Sequence, residues 1–362
     1  MNSELRRATV LVTGGAGFIG SNLASRLLRL NAHVIVLDNL SRRYVGKNLE
    51  WLRDEHRGRL DVVIGDVRDP AVVRREVARA THVFHFAAQV AVTSSLTDPQ
   101  FDFDVNAGGT LNVLEAVRAQ PTPPRVFYTS TNKVYGGLGD VELTESATRY
   151  EPSDAGLRAR GIDEARPLDF HSPYGCSKGT ADQYVLDYAR SFGIPAVVFR
   201  MSCIYGPRQF GTEDQGWVAH FLIRALRGEP ITVYGDGKQV RDVLFVDDLV
   251  NAFLAADAHM DRVRGRAFNM GGGPDNTTSL LELFSYMRDR LGMDIAFDHD
   301  DWRVGDQRYY VSNPERFGKL TGWSPRVGVR EGVERLFRWL ALDSRDRSVQ
   351  RAAHAANLTG VS

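Results

Sequence analysis

The sequence predicts an α/β fold: a doubly wound parallel sheet with a smaller α/β lobe toward its C-terminal side. Three observations carry this. Short β-branched runs alternate with helical patterns over residues 8–200. The runs are near-continuous in apolar residues, which marks strands buried on both faces and hence a parallel sheet. The first run, Ala8-Thr9-Val10-Leu11-Val12, breaks into Thr13-Gly14-Gly15-Ala16-Gly17-Phe18-Ile19-Gly20 before apolar residues resume at helical spacing. That reads as strand, tight turn, helix.

The glycines of this turn have distinct tasks. Gly14 and Gly15 permit the turn, Gly17 lets a pyrophosphate approach the backbone, and Gly20 lets the helix lie close to the strand. The N–H groups that open the helix at Phe18 and Ile19 are unsatisfied donors at its positive end, so an anion is stabilised there. A Gly-x-Gly-x-x-Gly alone also occurs in ordinary turns, and the context decides. The next strand, 33–38, ends in Asp38 followed by Asn39, an acid at the distance where it accepts hydrogen bonds from an adenosine ribose. The unit predicts a bound dinucleotide and a Rossmann-type sheet. Further strands are expected at 61–65, 82–87, 125–130 and 196–200. Ligands of such sheets bind at the carboxyl ends of the strands, where Asp66-Val67, Ala87-Ala88-Gln89 and Thr129-Ser130-Thr131 fall. Asp66 either bonds an adenine or caps a surface turn.

After Gln209 the alternation weakens. The expected division is a dinucleotide-binding domain over 1–200, with 240–262 returning to it, and a second lobe over 201–239 and 263–343. In that lobe the patterns give helices at Trp217 to Leu226 and Ser279 to Leu291 and a strand at Ile231 to Tyr234. The polar stretch 136–172 has no clear period and reads as an active-site loop or lid. The polar, alanine-rich 344–362 reads as a flexible tail.

Charge is balanced, 45 basic against 45 acidic residues, so no nucleic-acid partner is expected. Two cysteines, Cys176 and Cys203, are too few for a disulfide framework, and no His/Cys spacing suggests a metal site. With no signal peptide and no apolar run of membrane length, the expectation is a soluble cytoplasmic protein without a membrane partner.

The reactive pair is expected on the helix that opens at His171-Ser172-Pro173-Tyr174-Gly175-Cys176-Ser177-Lys178. Tyr174 and Lys178 are four apart and project from one helical face. A nearby ammonium favours the phenolate, moving the tyrosine toward neutral pH, where it acts as a base toward a sugar hydroxyl. Tyr234 and Lys238 share the spacing but lie in a turn and would not share a face. The first pair also follows a strand ending Thr129-Ser130-Thr131, whose hydroxyls complete a proton relay.

With these residues in view, the chain resembles the extended short-chain dehydrogenase/reductase superfamily over about residues 8–340, within it the NAD-dependent nucleotide-sugar epimerases and dehydratases. The resemblance rests on Gly-Gly-x-Gly-Phe-Ile-Gly20, Asp38, Ala87-Ala88-Gln89, Asn106-x-x-x-Thr110-x-Asn112, Val134-Tyr135-Gly136 and Tyr174-x-x-x-Lys178. The longer strings Ser130-Thr-Asn-Lys-Val-Tyr-Gly136, Leu168 to Lys178, Arg208-Gln-Phe210, Asp214-Gln-Gly-Trp217 and Gly271-Gly-Gly-Pro274 are similar to the CDP-paratose (CDP-tyvelose) 2-epimerases.

The resemblance implies a tightly held NAD+ regenerated in each turnover, with Asn106 among its contacts and Asp38 favouring NAD over NADP. Tyr174 would be the base, Lys178 would hold the nicotinamide ribose, and Thr131 would orient the reacting hydroxyl. A nucleotide-sugar 2-epimerase would oxidise C2 transiently and return the hydride to the opposite face; an epimerase or dehydratase acting through C4 is the alternative. Dehydratases carry Asp-Glu after this threonine, whereas Asn132-Lys133 stand here, which argues against dehydration. Lys133 either contacts a phosphate or hydroxyl of the substrate or acts as a second base. Arg241 and Arg303 resemble the family's pyrophosphate arginines, with surface salt bridges as the other reading. Gln215 completes the expected substrate contacts. Cys203 stands where many relatives have asparagine and reads as packing rather than a nucleophile. The helix after Asp104-Val-Asn106 is the expected packing face of a homodimer or homotetramer.

Overall fold

The computed structural model describes residues 5–343 except Arg57 and Val304. The tail expected over 344–362 lies outside the described residues. Seven parallel strands form the main sheet, in the order Arg266–Met270, Ala196–Met201, Arg125–Thr131, His82–His85, Thr9–Thr13, His33–Asp38, Leu60–Ile64. The order reverses between Thr9–Thr13 and His82–His85, and the crevice outside that switch point is where a doubly wound sheet binds its ligand.

Both faces of the sheet are covered, which is why its strands read as apolar runs. Val10, Val12, Phe84, Phe127 and Phe199 pack beneath Leu23, Leu27, Leu249 and Phe253 on one side. Leu11, Val83, Val126 and Val198 face Val113, Leu114, Ala181 and Val185 on the other.

The seventh strand, Arg266–Met270, was not expected: it lies in the main sheet although 263–343 was assigned to the second lobe. Its apolar run is broken by Asn269, which is fully buried because it accepts from the Tyr135 hydroxyl (2.7 Å) and donates to the Ile162 carbonyl (2.8 Å). Segment 240–262 divides. Helix Val246–Ala258 packs on the main sheet, while strand Val240–Phe245 centres a smaller sheet with Thr277–Ser279, Tyr309–Tyr310 and Cys203–Tyr205. A separate apolar cluster around Phe221, Val233, Phe245, Phe284 and Met287 supports this second lobe.

The stretch 136–172 is not a lid. It forms the hairpin Leu143–Glu145/Tyr150–Pro152 and helix Ala155–Arg160, bridges to the second lobe at Ile162–Ser312, and contributes nothing to the cavity wall. Its polar side chains bond that lobe, as Arg149 Nη2 does in donating to the Thr277 hydroxyl at 2.8 Å. Among the described residues no helix is long and apolar enough to cross a membrane.

Candidate active site

A cavity of about 1080 Å³ runs along the carboxyl ends of the central strands, from the glycine turn to the 300–306 segment of the second lobe. At its first end the turn leaves no room for side chains. A Cβ at Gly14 would stand 2.7 Å from Ala87 N, and one at Gly20 2.3 Å from Gly14 O. Helix Phe18–Arg29 opens at Gly17 with no side-chain cap and no acid in its first turn. Its positive end is therefore available to a phosphate. Asp38 accepts from Ala16 N–H (3.0 Å) and Leu40 N–H (2.9 Å), tying its strand to the glycine turn, while burial pushes its carboxyl up. Asp66 takes a forked contact from Arg68 and a third bond from Asn39, and Arg68 holds it down at about 2. Gly17, Phe18, Ile19, Val67, Ala87, Ala88 and Gln89 all line this end.

Asn106 does not. It is 1% exposed, with Oδ1 accepting from Gln89 N–H (2.9 Å) and Nδ2 donating to Asp102 (3.1 Å) and Ser177 (3.0 Å). The π-helical turn Asp104–Gly108 places it behind the wall, so it supports the Gln89 backbone rather than touching a cofactor.

In the middle of the cavity, helix Ser172–Phe192 presents Tyr174 and Lys178. The helix is fixed to strand Ala196–Met201 by the buried Arg200–Asp182 fork, 2.9 Å at both nitrogens. Thr131 ends its strand and caps the 3-10 turn Asn132–Tyr135, accepting from Lys133 N–H at 3.2 Å. The expectation of an ammonium on the phenol is not met in the chain alone. Lys178 Nζ donates to the Thr129 carbonyl (2.6 Å) and lies over the Tyr128 ring (4.3 Å), and burial brings it down to about 7. Tyr174 is pushed up to about 12 by burial, against the pull of its Thr131 hydrogen bond. Burial disfavours both charged forms, and a lysine that loses its proton near 7 carries no charge when the phenol titrates.

At the second end stand Asn132, Lys133, Cys203, Gln215, Arg241 and Arg303, and all six line the cavity. Each arginine already has a carboxylate. Arg241 meets Asp306 at 2.7 Å, and Arg303 meets Glu213 at 3.1 Å and Asp214 at 3.7 Å while lying 3.8 Å over the Tyr234 ring. Lys133 Nζ donates to the Gly305 carbonyl (3.1 Å) and stands 3.7 Å from Asp306. Burial lowers Lys133, with Asp306 opposing and Arg241 adding to the drop. Burial alone would raise Asp306, but Arg241 and Lys133 outweigh it and hold it below the usual carboxylate range. The Cys203 thiol accepts from Trp217 Nε1 (3.3 Å) and is pushed up by burial, an unreactive packing position. Gln215 accepts from Arg42, which crosses the cleft from the segment after Asp38.

Glu213, Asp306 and Gln307 carry no site role in the sequence patterns, and Arg42 bears there only on the choice between NAD and NADP. Asp306 follows Arg303 closely, and an acid beside an expected diphosphate arginine was the signal for it. Nothing local marks the others.

Taken together, an open helix N-terminus, an acid at the end of the second strand, and a tyrosine and lysine beside a strand-end threonine define an NAD-linked enzyme of the short-chain dehydrogenase type. The model of the NAD dependent epimerase/dehydratase family matches residues 10–271, and the chain belongs to that family. It is 46% identical over 337 residues to the CDP-paratose 2-epimerase of Salmonella typhi, covering 91% of this chain and 98% of that one. Among solved structures it is similar to the UDP-glucose 4-epimerase of Thermotoga maritima with UDP-glucose, at TM-score 0.79 and 30% identity, over 92% of this chain and 99% of that one. The UDP-glucuronic acid 4-epimerase of Bacillus cereus, in complex with UDP-glucuronic acid and NAD, matches at TM-score 0.78 and 26% identity, over 92% and 99%. NAD is the cofactor of this family, and the uncapped helix and the glycine cradle at the first end of the cavity fit it.

Proposed function

We propose that this chain is a nucleotide-sugar 2-epimerase acting on a CDP-linked sugar of the paratose/tyvelose type. The observation that carries the reading is the whole-length likeness to a CDP-paratose 2-epimerase. The site supports it in a second way: positions 132 and 133 hold an amide and a lysine, so the acid–base pair that eliminates water from a 4-keto sugar is missing.

In this reading the glycine turn, the N–H groups at Phe18 and Ile19, and Asp38 hold NAD, with Asn39, Asp66, Val67, Ala87, Ala88 and Gln89 along its length. When bound it supplies reversible oxidation at a sugar carbon. Tyr174 takes the proton of the reacting hydroxyl, and Thr131 orients that hydroxyl. Lys178, one helical turn on from Tyr174 and buried against Tyr128, holds the nicotinamide ribose. Arg241 and Arg303 grip the diphosphate, Lys133, Cys203 and Gln215 line the sugar, and Asn132 backs Thr131. The anchored diphosphate lets the sugar turn over within the pocket. The division of labour follows the lobes: 1–200 with 246–270 for the cofactor, and 201–245 with 271–343 for the nucleotide. The assembly we assign is a homodimer or homotetramer in the cytoplasm. Exposed Phe103, Leu111, Tyr184 and Phe192 on the helices flanking the site offer the contact.

The test is proton NMR of the holoenzyme in heavy water with a panel that includes CDP-paratose, CDP-glucose and UDP-glucose. Inversion at C2 without deuterium incorporation is the expected result. Inversion at C4, or deuterium entering a carbon beside C4, would replace this reading with one through C4 and make Lys133 a base.

A further inference from the structure

Gln307 is fully buried and lies immediately after Asp306 on the second lobe, yet its side chain reaches the turn that follows strand Arg125–Thr131 of the first. Its Nε2 donates to the Gly136 carbonyl at 2.6 Å, and its Oε1 accepts from Asn132 Nδ2 at 3.3 Å. Asn132 Oδ1 in turn accepts from the Thr131 hydroxyl at 3.3 Å. Thr131 also accepts from Lys133 N–H at 3.2 Å, and its hydroxyl is hydrogen-bonded to Tyr174.

The direction of this chain is fixed at its far end. A backbone carbonyl can only accept, so it takes the NH2 face of Gln307, which turns the Gln307 oxygen to Asn132. Asn132 must then give its own NH2 and turn its oxygen to Thr131. Each amide has a single orientation that satisfies both neighbours, and the alternative buries like groups against one another, at a cost comparable to a lost hydrogen bond. Thr131 has one proton. With an acceptor at Asn132 and a donor at Lys133 N–H, its proton lies toward Asn132 and a lone pair remains for the hydroxyl it orients.

We propose that Gln307 is a positioning residue for the reaction: through Asn132 it sets which way the Thr131 hydroxyl points its proton, and so the state in which Tyr174 and the substrate hydroxyl meet it. The proposal rests on the Tyr174–Thr131 pair of the function above, whichever nucleotide sugar it serves. The charged and titratable groups around that pair are Asp102, Arg42 and Tyr128 near Tyr174, Lys178 one helical turn on over the Tyr128 ring, and Lys133, Asp306 and Arg241 on the far side of Asn132. Because Gln307 adjoins Asp306, which holds Arg241, the same short segment touches both the diphosphate arginine and Asn132, the residue that accepts from the Thr131 hydroxyl. Without Gln307, Asn132 is free to turn its NH2 to Thr131. Thr131, whose bond already opposes the rise of Tyr174, then gives its proton wholly to Tyr174, and the phenolate is favoured further.

The test uses Gln307→Met, which keeps length and loses both hydrogen bonds, with Asn132→Ala and the double variant, all as NAD-loaded enzyme. The expected result is a pH midpoint of the rising limb of kcat, where the Tyr174 base loses its proton, at least half a unit lower in Q307M, with affinity for CDP by calorimetry within threefold of wild type. N132A and N132A/Q307M should have the same kcat within twofold, because Gln307 acts only through Asn132. An unchanged midpoint, or losses that multiply in the double variant, overturns the proposal. A KM and CDP affinity that worsen with kcat unchanged also overturns it, placing Gln307 in the nucleotide site. An inactive wild type would refute the function and not the positioning, which is then read from the Asn132 side-chain amide signal in 15N NMR, identified by its loss in N132A. That signal should shift in Q307M, and an unmoved signal overturns the proposal.

Discussion

Lys178 offers a perturbation whose sign reverses with pH. The ammonium is 4% exposed and is brought from the ordinary 10.5 down to about 7 by burial, which Asp182 and Asp102 only partly oppose. In the unfolded chain the lysine keeps its proton to about 10.5. Between 7 and 10.5 the unfolded chain therefore binds a proton that the folded one does not, and stability rises with pH across that window. At about 1.4 kcal/mol per pH unit, the buried charge costs the folded enzyme about 5 kcal/mol below pH 7 and almost nothing above 10.5. Lys178→Met removes that cost but leaves the Thr129 carbonyl without its donor at 2.6 Å, a loss of about 1–3 kcal/mol at any pH. K178M should thus be more stable than wild type by about 2–4 kcal/mol at pH 6 and less stable by about 1–3 kcal/mol near pH 10.5. Urea unfolding of both cofactor-free proteins at pH 6, 8 and 10 reads the difference. The chain has only five lysines, at 47, 133, 178, 238 and 319, so 13C-lysine NMR follows the Lys178 titration directly. A stability difference that stays within 1 kcal/mol from pH 6 to 10, or a Lys178 signal that titrates with the exposed lysines, would refute the burial argument.

Two further outcomes rest on packing and pairing. Gly20→Ala places a methyl 2.3 Å from the Gly14 carbonyl oxygen and 2.7 Å from Gly15 Cα. Neither backbone atom can yield without moving the turn, so the variant should lose about 1–3 kcal/mol or more and purify without NAD; retention of the cofactor at wild-type level would refute the close fit. Arg200→Met strands Asp182, which is 0% exposed and forked to Arg200. A cost of about 3–5 kcal/mol is expected in denaturant unfolding, and Asp182→Leu added to it should recover at least half. No recovery would mean that the pair is held for its shape rather than its charge.

Much of the main sheet was legible because its physics is local. Strands buried on both faces give apolar runs, and helix Trp217–Leu226 and strand Ile231–Tyr234 begin and end where their patterns do. The strand Arg266–Met270 escaped because a buried asparagine interrupts it, and the sequence does not show that Tyr135 and Ile162 satisfy that asparagine. The site divides in the same way. The glycine turn with Asp38 and the pair Tyr174 and Lys178 are contiguous patterns set by one turn or one helix. Asn106 has the family's spacing, but a π-helical turn takes it off the wall. The state of Tyr174 could not be read from a spacing of four, because burial acts on tyrosine and lysine together. Gln307 lies 175 residues from its partner Asn132, beyond the reach of any local pattern.

The segment 303–307 is why two arginines and a lysine can share the far end of the cavity stably without a ligand. Arg303, Asp306 and Gln307 contact, in turn, the 213–214 loop, the Arg241–Lys133 pair and the catalytic turn. Two buried or half-buried guanidiniums and an ammonium in one cavity would repel one another. The carboxylates of Glu213, Asp214 and Asp306 offset that repulsion and also fix where each fork lies. A guanidinium has five N–H donors, and Arg241 spends donors on the Val240 carbonyl oxygen and Asp306 while still lining the cavity. The pairing therefore holds the arginine in place without exhausting it. Under the proposed function a diphosphate would meet donors already oriented, with less ordering entropy lost on binding. Under the proposed function, Gln307 being covalently next to Asp306 would let a shift that the diphosphate imposes on Asp306 reach Asn132, linking the anchoring of the nucleotide to the alignment of the reacting hydroxyl through one short piece of backbone.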